Sequence, residues 1–141
     1  MRKILLYIIL SLSGIDGAWA LPIEKEGMNI YSPSLKQEVS YSIILPEGYE
    51  HSDTEYPVLY MFHGIGGDYT SWLEYGNVAR VMDKMIKKGE VEPFIMVIPD
   101  GYLSYYSDTY DGSFLYETFF IKELVPYIDN NYRTRKNVSA R

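Results

Sequence analysis

A short apolar run, Val58-Leu59-Tyr60-Met61-Phe62, enters a glycine turn, His63-Gly64-Ile65-Gly66-Gly67, and leaves it through Asp68-Tyr69-Thr70-Ser71-Trp72. An unbroken apolar run with Pro57 before it and glycines after it predicts a strand buried on both faces, as parallel sheets require. The turn then lets backbone approach a ligand where no side chain could fit. This selects an α/β architecture in which Val58–Phe62 is a central strand.

The turn also has the composition of an oxyanion loop. Attack on an ester carbonyl places negative charge on its oxygen, and a fixed backbone N–H aimed at that oxygen is worth about 3–4 kcal/mol of barrier. In α/β-hydrolases one such donor follows the nucleophile, and the other lies in the loop after the third strand, where His-Gly-Gly-Gly-type sequences recur. On that pattern the second donor here would be the N–H of Ile65, with Gly64, Gly66 and Gly67 allowing the tight path. A glycine-rich turn without chemistry has the same local signature.

The 141 residues suffice for one ordinary domain, and 47% hydrophobic content with 16% aromatic residues is that of a packed globular chain. A net charge of −6 argues against a nucleic-acid footprint, which needs a basic face. Without cysteine there is neither a disulfide nor a thiolate metal site. Arg2-Lys3 precede an apolar run from Ile4 to Leu12, and Ala18-Trp19-Ala20 supplies the small residues a signal peptidase reads. Residues 1–20 are therefore expected to be a cleaved signal peptide, giving a secreted or periplasmic protein with no stable membrane anchor. Residues 21–141 form the domain.

Along that domain, Leu21 to Gly27 carries no clear signal. Met28–Tyr31 and Gln37–Leu45 read as an antiparallel edge hairpin about Ser32-Pro33-Ser34, with Val39, Tyr41, Ile43 and Leu45 at a two-residue period. His51 falls in a polar loop and reads as a solvated histidine. Val78, Val81, Met82, Met85 and Ile86 form one apolar helix face, with Asn77 as its expected cap and Gly89 at its end. Phe94–Ile98 is a second buried strand, so that strand, loop, helix and strand make a βαβ unit.

Gly101 to Ser113 is a loop rich in tyrosine, aspartate and serine. It follows the carboxyl end of a parallel strand, where α/β sheets bind ligands, and Tyr105, Tyr106 and Tyr110 can stack on a sugar or phenolic ring. A surface loop packed on itself is the plainer expectation. Asp108 and Asp111 lack the alternating ligands and the terminal Glu of a calcium loop, so no metal is expected there. A last helix spans Tyr116 to Tyr132 with Phe120, Leu124, Val125 and Ile128 inward, and Pro126 must bend or break it. Beyond it only Val138 suggests a further strand, and Asn137-Val138-Ser139 matches a glycosylation sequon.

From about Ser34 to Arg135 the chain resembles the esterase D family of α/β-hydrolases, which includes feruloyl and acetyl-xylan esterases, S-formylglutathione hydrolases and mycolyltransferases. Four stretches carry the resemblance: Tyr41 to Tyr49, Tyr56 to Gly67, Ile98-Pro99-Asp100-Gly101, and Glu123 to Asp129. His-Gly-Ile-Gly-Gly with the following Trp72 is most similar to the feruloyl esterase branch. The resemblance implies the N-terminal half of an α/β-hydrolase fold, mostly parallel with an antiparallel edge hairpin and flanking helices. It also implies Ile65 as an oxyanion donor and His63 as the loop's scaffold rather than the triad histidine, while Trp72 is expected either to hold the acyl or sugar part or to serve as a core anchor. It implies no cofactor, and as partner an acylated polysaccharide or oligosaccharide.

The sequence contains no Gly-x-Ser-x-Gly elbow, so the nucleophile and the acid and base that follow it in this fold are absent from these 141 residues. In the hydrolase strand order 1-2-4-3-5, a sheet lacking the fifth strand leaves Val58–Phe62 as an open edge, a template for aggregation. The 141 residues alone are thus expected to be inactive and poorly soluble. Two alternatives use the same residues: an acyltransferase passing the acyl group to a sugar, and a non-catalytic carbohydrate-binding fragment.

Overall fold

The computed structural model describes residues 22–136, so the expected signal peptide, Val138 and the sequon lie outside the described residues. Four strands, β1 (Ile23–Ser32), β2 (Gln37–Leu45), β3 (Val58–Tyr60) and β4 (Ile95–Pro99), form one sheet in the order β1-β2-β4-β3. The βαβ unit is present, because β3 and β4 pair in parallel around α2 (Val78–Lys87). The hairpin is present too, and β1 begins at Ile23, earlier than its alternation shows, with a register shift between Lys25 and Met28. A bulge breaks the two-residue period that would have revealed those residues.

The expectation of a mostly parallel sheet needs correction. Both β1 with β2 and β2 with β4 are antiparallel, leaving β3 and β4 as the one parallel pair among the described residues. The long hairpin enters the sheet beside β4, so it supplies two of the three pairings. β3 also ends at Tyr60, although the Met61 N–H still donates to the Val97 carbonyl at 2.9 Å.

Burial follows strand position. β2 has neighbours on both edges and apolar layers on both faces, and Val39, Tyr41, Ile43, Ile44 and Leu45 are all fully buried. One layer joins Tyr41, Ile43, Val58 and Val97 to the C-terminal helical run, through Tyr116, Phe119, Leu124 and Ile128. The opposite layer joins Ile44, Met96 and Ile98 to Ala79 and Met82 of α2. β3 is the outer strand and is not covered on both faces: Leu59 is 44% exposed. A parallel bridge between Tyr56 and Thr134 lies at its entry, with the Tyr56 N–H donating to the Arg133 carbonyl and the Arg135 N–H to that of Tyr56, each at 2.9 Å.

Two helix features depart from the expected pattern. Asn77 precedes α2 in a left-handed conformation (φ 47°) and makes no side-chain cap bond. It serves as a turn residue that tolerates positive φ. Pro126 does not break the last helix: α3 (Tyr116–Phe119) passes through a π turn (Phe120–Leu124) into α4 (Val125–Asn131). The wider turn resets the helical register just before Pro126, so its missing N–H falls in a first turn, where no intrahelical partner is needed.

Candidate active site

The carboxyl end of β3 delivers the chain into the glycine turn, and side chains from elsewhere fix both carbonyls at that junction. The Trp72 indole N–H donates to the Phe62 carbonyl at 3.0 Å, and the Tyr106 hydroxyl donates to that of His63 at 2.7 Å. His63 is buried at 6% exposure. Its Nδ1–H donates to the Gly64 carbonyl at 2.9 Å, and its Nε2 accepts the Gly101 N–H at 2.8 Å. These two bonds together define the neutral Nδ1–H tautomer.

Asp100 Oδ1 lies 3.6 Å from Nε2 but accepts the Tyr102 N–H at 2.8 Å. Because the Nε2 lone pair is occupied by the Gly101 amide, this proximity is not an ion pair. His63 is a bracket between the glycine turn and the loop after β4.

The turn closes through the Gly67 N–H to the Gly64 carbonyl at 3.1 Å, with Gly66 at φ 80°. That is the pattern of a type II turn, whose third residue requires positive φ. The Ile65 N–H donates to nothing among the described residues, and its side chain is 89% exposed. The three glycines are needed unequally. Gly66 is fixed by its φ, whereas a Cβ on Gly67 would lie 2.8 Å from Ser71 Oγ. A Cβ on Gly64 would meet nothing within 4 Å, so that glycine faces open space beside the free amide.

Beyond the turn, Asp68 Oδ1 accepts both the amide and the hydroxyl of Thr70 at 2.7 and 2.8 Å, and the Asp68 amide donates to Ser71 Oγ at 2.9 Å. The Thr70 hydroxyl holds the Asp68 carboxyl below the usual carboxylate range. These bonds start the short helix α1 (Ser71–Glu74), which carries Trp72. Trp72 is pinned and partly exposed, and with His63, Gly64 and Ser71 it lines a hollow of about 280 Å³.

The tyrosine loop divides its residues between two roles. Tyr106 stacks on Phe62 at 4.3 Å between ring centroids, meets Tyr116 edge-on at 5.3 Å, and sits at φ 59°. Its ring fills the space over Gly101, where a Cβ would come within 2.2 Å of it. Burial pushes its hydroxyl above the ordinary tyrosine range, and burial does the same to Tyr116, whose hydroxyl donates to the Asp100 carbonyl. Tyr105 and Tyr110 are exposed, and Tyr105 borders a cleft of about 480 Å³ with Tyr102, Ser107 and Phe114.

Asp108 and Asp111 turn inward on their own loop. The first accepts the amide and hydroxyl of Thr118, the second those of Ser113. The structure thus brings His63, the glycine turn, Trp72 and Tyr106 together, while Tyr105 and Tyr110 project from the adjoining loop. Sequence reading missed the bond from Gly101 to His63 and the exposed Tyr75 beside Trp72. Asp100-Gly101 reads as an ordinary turn, and nothing local shows that Tyr106 covers it.

The esterase family model, described as "Putative esterase", matches residues 32–140. The chain is 34% identical over 115 residues to an endo-1,4-beta-xylanase/feruloyl esterase of Xylanibacter ruminicola, covering 77% of this chain and 16% of that protein. It is similar to a solved ferulic acid esterase at 30% identity with a TM-score of 0.79, covering 86% of this chain and 47% of that one. The ferulic acid esterase of Anaeromyces mucronatus, solved in complex with ferulic acid, matches at 26% identity with a TM-score of 0.68, covering 82% of this chain and 45% of that one. The chain therefore spans under half the length of these relatives. It belongs to the esterase family, within the esterase D and feruloyl esterase-like group of α/β-hydrolases.

Proposed function

We propose that this chain is the oxyanion-loop half of a secreted serine carboxylesterase acting on feruloyl or acetyl esters of plant polysaccharide. The observation that carries this reading is the unengaged Ile65 N–H, held at the carboxyl end of β3 by a turn bracketed through His63 and Tyr106. A serine attacks the acyl carbon while its proton passes to a histidine. The carbonyl oxygen becomes an oxyanion that accepts the Ile65 N–H, and the alcohol leaves with the proton from the histidine. Water then releases the acid from the acyl-enzyme by the same path. The serine, the acid and the base would come from beyond residue 141, so the 141 residues alone are inactive on this reading. The relatives' names as feruloyl and ferulic acid esterases support the ester class.

The test is to read the gene past codon 141 and to express the extended protein. A Gly-x-Ser-x-Gly within about ten residues, followed by an acidic residue and a histidine, is expected, with a serine labelled by a fluorophosphonate and methyl ferulate hydrolysed to free acid. A stop codon directly after Arg141 would overturn the hydrolase reading. Appearance of a transferred ester in place of free acid would make the protein an acyltransferase.

A further inference from the structure

Beyond the Met61 N–H bond to Val97, where β3 leaves the sheet, three successive carbonyls are each held by a side chain. The Trp72 indole donates to Phe62, the Tyr106 hydroxyl to His63, and His63 Nδ1–H to Gly64. The Gly64 carbonyl also accepts the Gly67 N–H. A peptide unit is planar and trans, so its N–H points opposite to its C=O. The Gly64 carbonyl shares its plane with the Ile65 N–H, and fixing the one aims the other.

Gly64 is the joint between the last two of these planes. It has no side chain to limit rotation, and a Cβ there would meet nothing within 4 Å, so packing does not set its backbone angles. Hydrogen bonds must do so. His63 and Gly67 hold the plane after the joint, whereas the plane before it, His63–Gly64, is held among the described residues by Tyr106 alone. Losing that bond frees the joint on one side.

Tyr106 is placed to support the turn rather than to stack on a ligand. Its ring stacks on Phe62 at 4.3 Å, packs against Tyr116 at 5.3 Å and covers Gly101, and its hydroxyl is engaged by the His63 carbonyl at 2.7 Å. Neither the stacked face nor the hydroxyl is open to a substrate.

We propose that Tyr106 is a positioning residue for ester hydrolysis: through the His63 carbonyl its hydroxyl holds the plane before the Gly64 joint and keeps the Ile65 N–H aimed at the oxyanion. This rests on the ester-hydrolase reading above. The bond is made in the free protein, so the donor needs no rearrangement when charge develops on the acyl oxygen. Its effect therefore falls on the transition state and not on ground-state binding.

The test uses the extended protein. Tyr106→Phe keeps the ring and its packing and removes only the donor. Its kcat for methyl ferulate is expected to fall about two- to tenfold, the range of one net hydrogen bond, with KM unchanged. Amide relaxation in the isoleucine-labelled protein should show added motion at Ile65 in the same variant. Ser34→Ala removes a hydrogen bond to Glu123 outside the turn, and should lower the denaturation midpoint while leaving kcat unchanged. A wild-type kcat in Tyr106→Phe overturns the positioning role, whatever its KM, and leaves the esterase reading standing. An equal fall in kcat in both variants traces the loss to stability and overturns the role as well. An extended wild type that hydrolyses no ester overturns the esterase reading, and the proposal with it.

Discussion

Gly101 has an ordinary backbone conformation, so replacing it with alanine tests packing alone. Negative or extended φ accepts alanine, and the loss of unfolded-state freedom alone would favour the variant by about 0.4–1 kcal/mol. Against this, the added methyl would lie 2.2, 2.5 and 2.6 Å from Cε1, Cζ and the hydroxyl of Tyr106. The ring cannot step aside without loss, because it stacks on Phe62, meets Tyr116 and bonds the His63 carbonyl. Losing that hydrogen bond removes about 1 kcal/mol, and losing the two ring contacts about 0.5–1.5 kcal/mol each. The net expectation for Gly101→Ala is a destabilisation of about 1–3.5 kcal/mol, near the range of overpacked cores.

Urea denaturation with a double-mutant cycle is the assay. In a Tyr106→Ala background the same substitution should be neutral or slightly stabilising, because the obstructing ring is gone. An equal loss in both backgrounds would refute the contact as the cause. A loss below about 0.5 kcal/mol in the wild type would show that the loop yields freely, and that Tyr106 does not hold the His63 carbonyl.

Three further outcomes follow from contacts elsewhere in the fold. Glu123 accepts the hydroxyls of Ser32 and Ser34 and the Ser34 amide, clasping the hairpin to the π turn, so Glu123→Ala should cost about 2–3 kcal/mol in chemical denaturation. The Ser113 hydroxyl and amide lower the Asp111 carboxyl from 3.8 to about 2. A depressed acid contributes stability that is present above 3.8 and lost as pH falls through about 2; an NMR titration should show the midpoint returning toward 3.8 in Ser113→Ala. Leu59 is exposed on the outer strand, so sedimentation of the 141-residue chain should show self-association that Leu59→Lys reduces.

The elements with a clean period were legible in the sequence. The alternation of Val39, Tyr41, Ile43 and Leu45 and the apolar face of α2 both emerge where expected. That face also shows where periodicity stops informing. Met82 is buried while Val81 is 49% exposed, because Val81 and Met85 border an open apolar groove against Leu59 and Phe94. Period identifies which residues share a face, and cannot say how much of that face is covered.

The site was legible where backbone chemistry is local. Gly66 announces its positive φ, and the apolar run before His63 announces a strand ending at a turn. The bracket through His63, Gly101 and Tyr106 was not legible, because its bonds join residues 38 and 43 positions apart. Tyr105 and Tyr106 are adjacent and chemically identical. One is exposed and the other is a packed support against Phe62, Tyr116 and the His63 carbonyl, a distinction that residue type does not carry.

The most direct measurement is an amide-to-ester exchange at the Ile65 nitrogen in the extended, active protein, which removes the donor and leaves the side chain in place. With Ile65 as an oxyanion donor, kcat for methyl ferulate should fall about 10²–10³-fold with little change in KM. An unchanged kcat would contradict the assignment and leave the turn a structural feature.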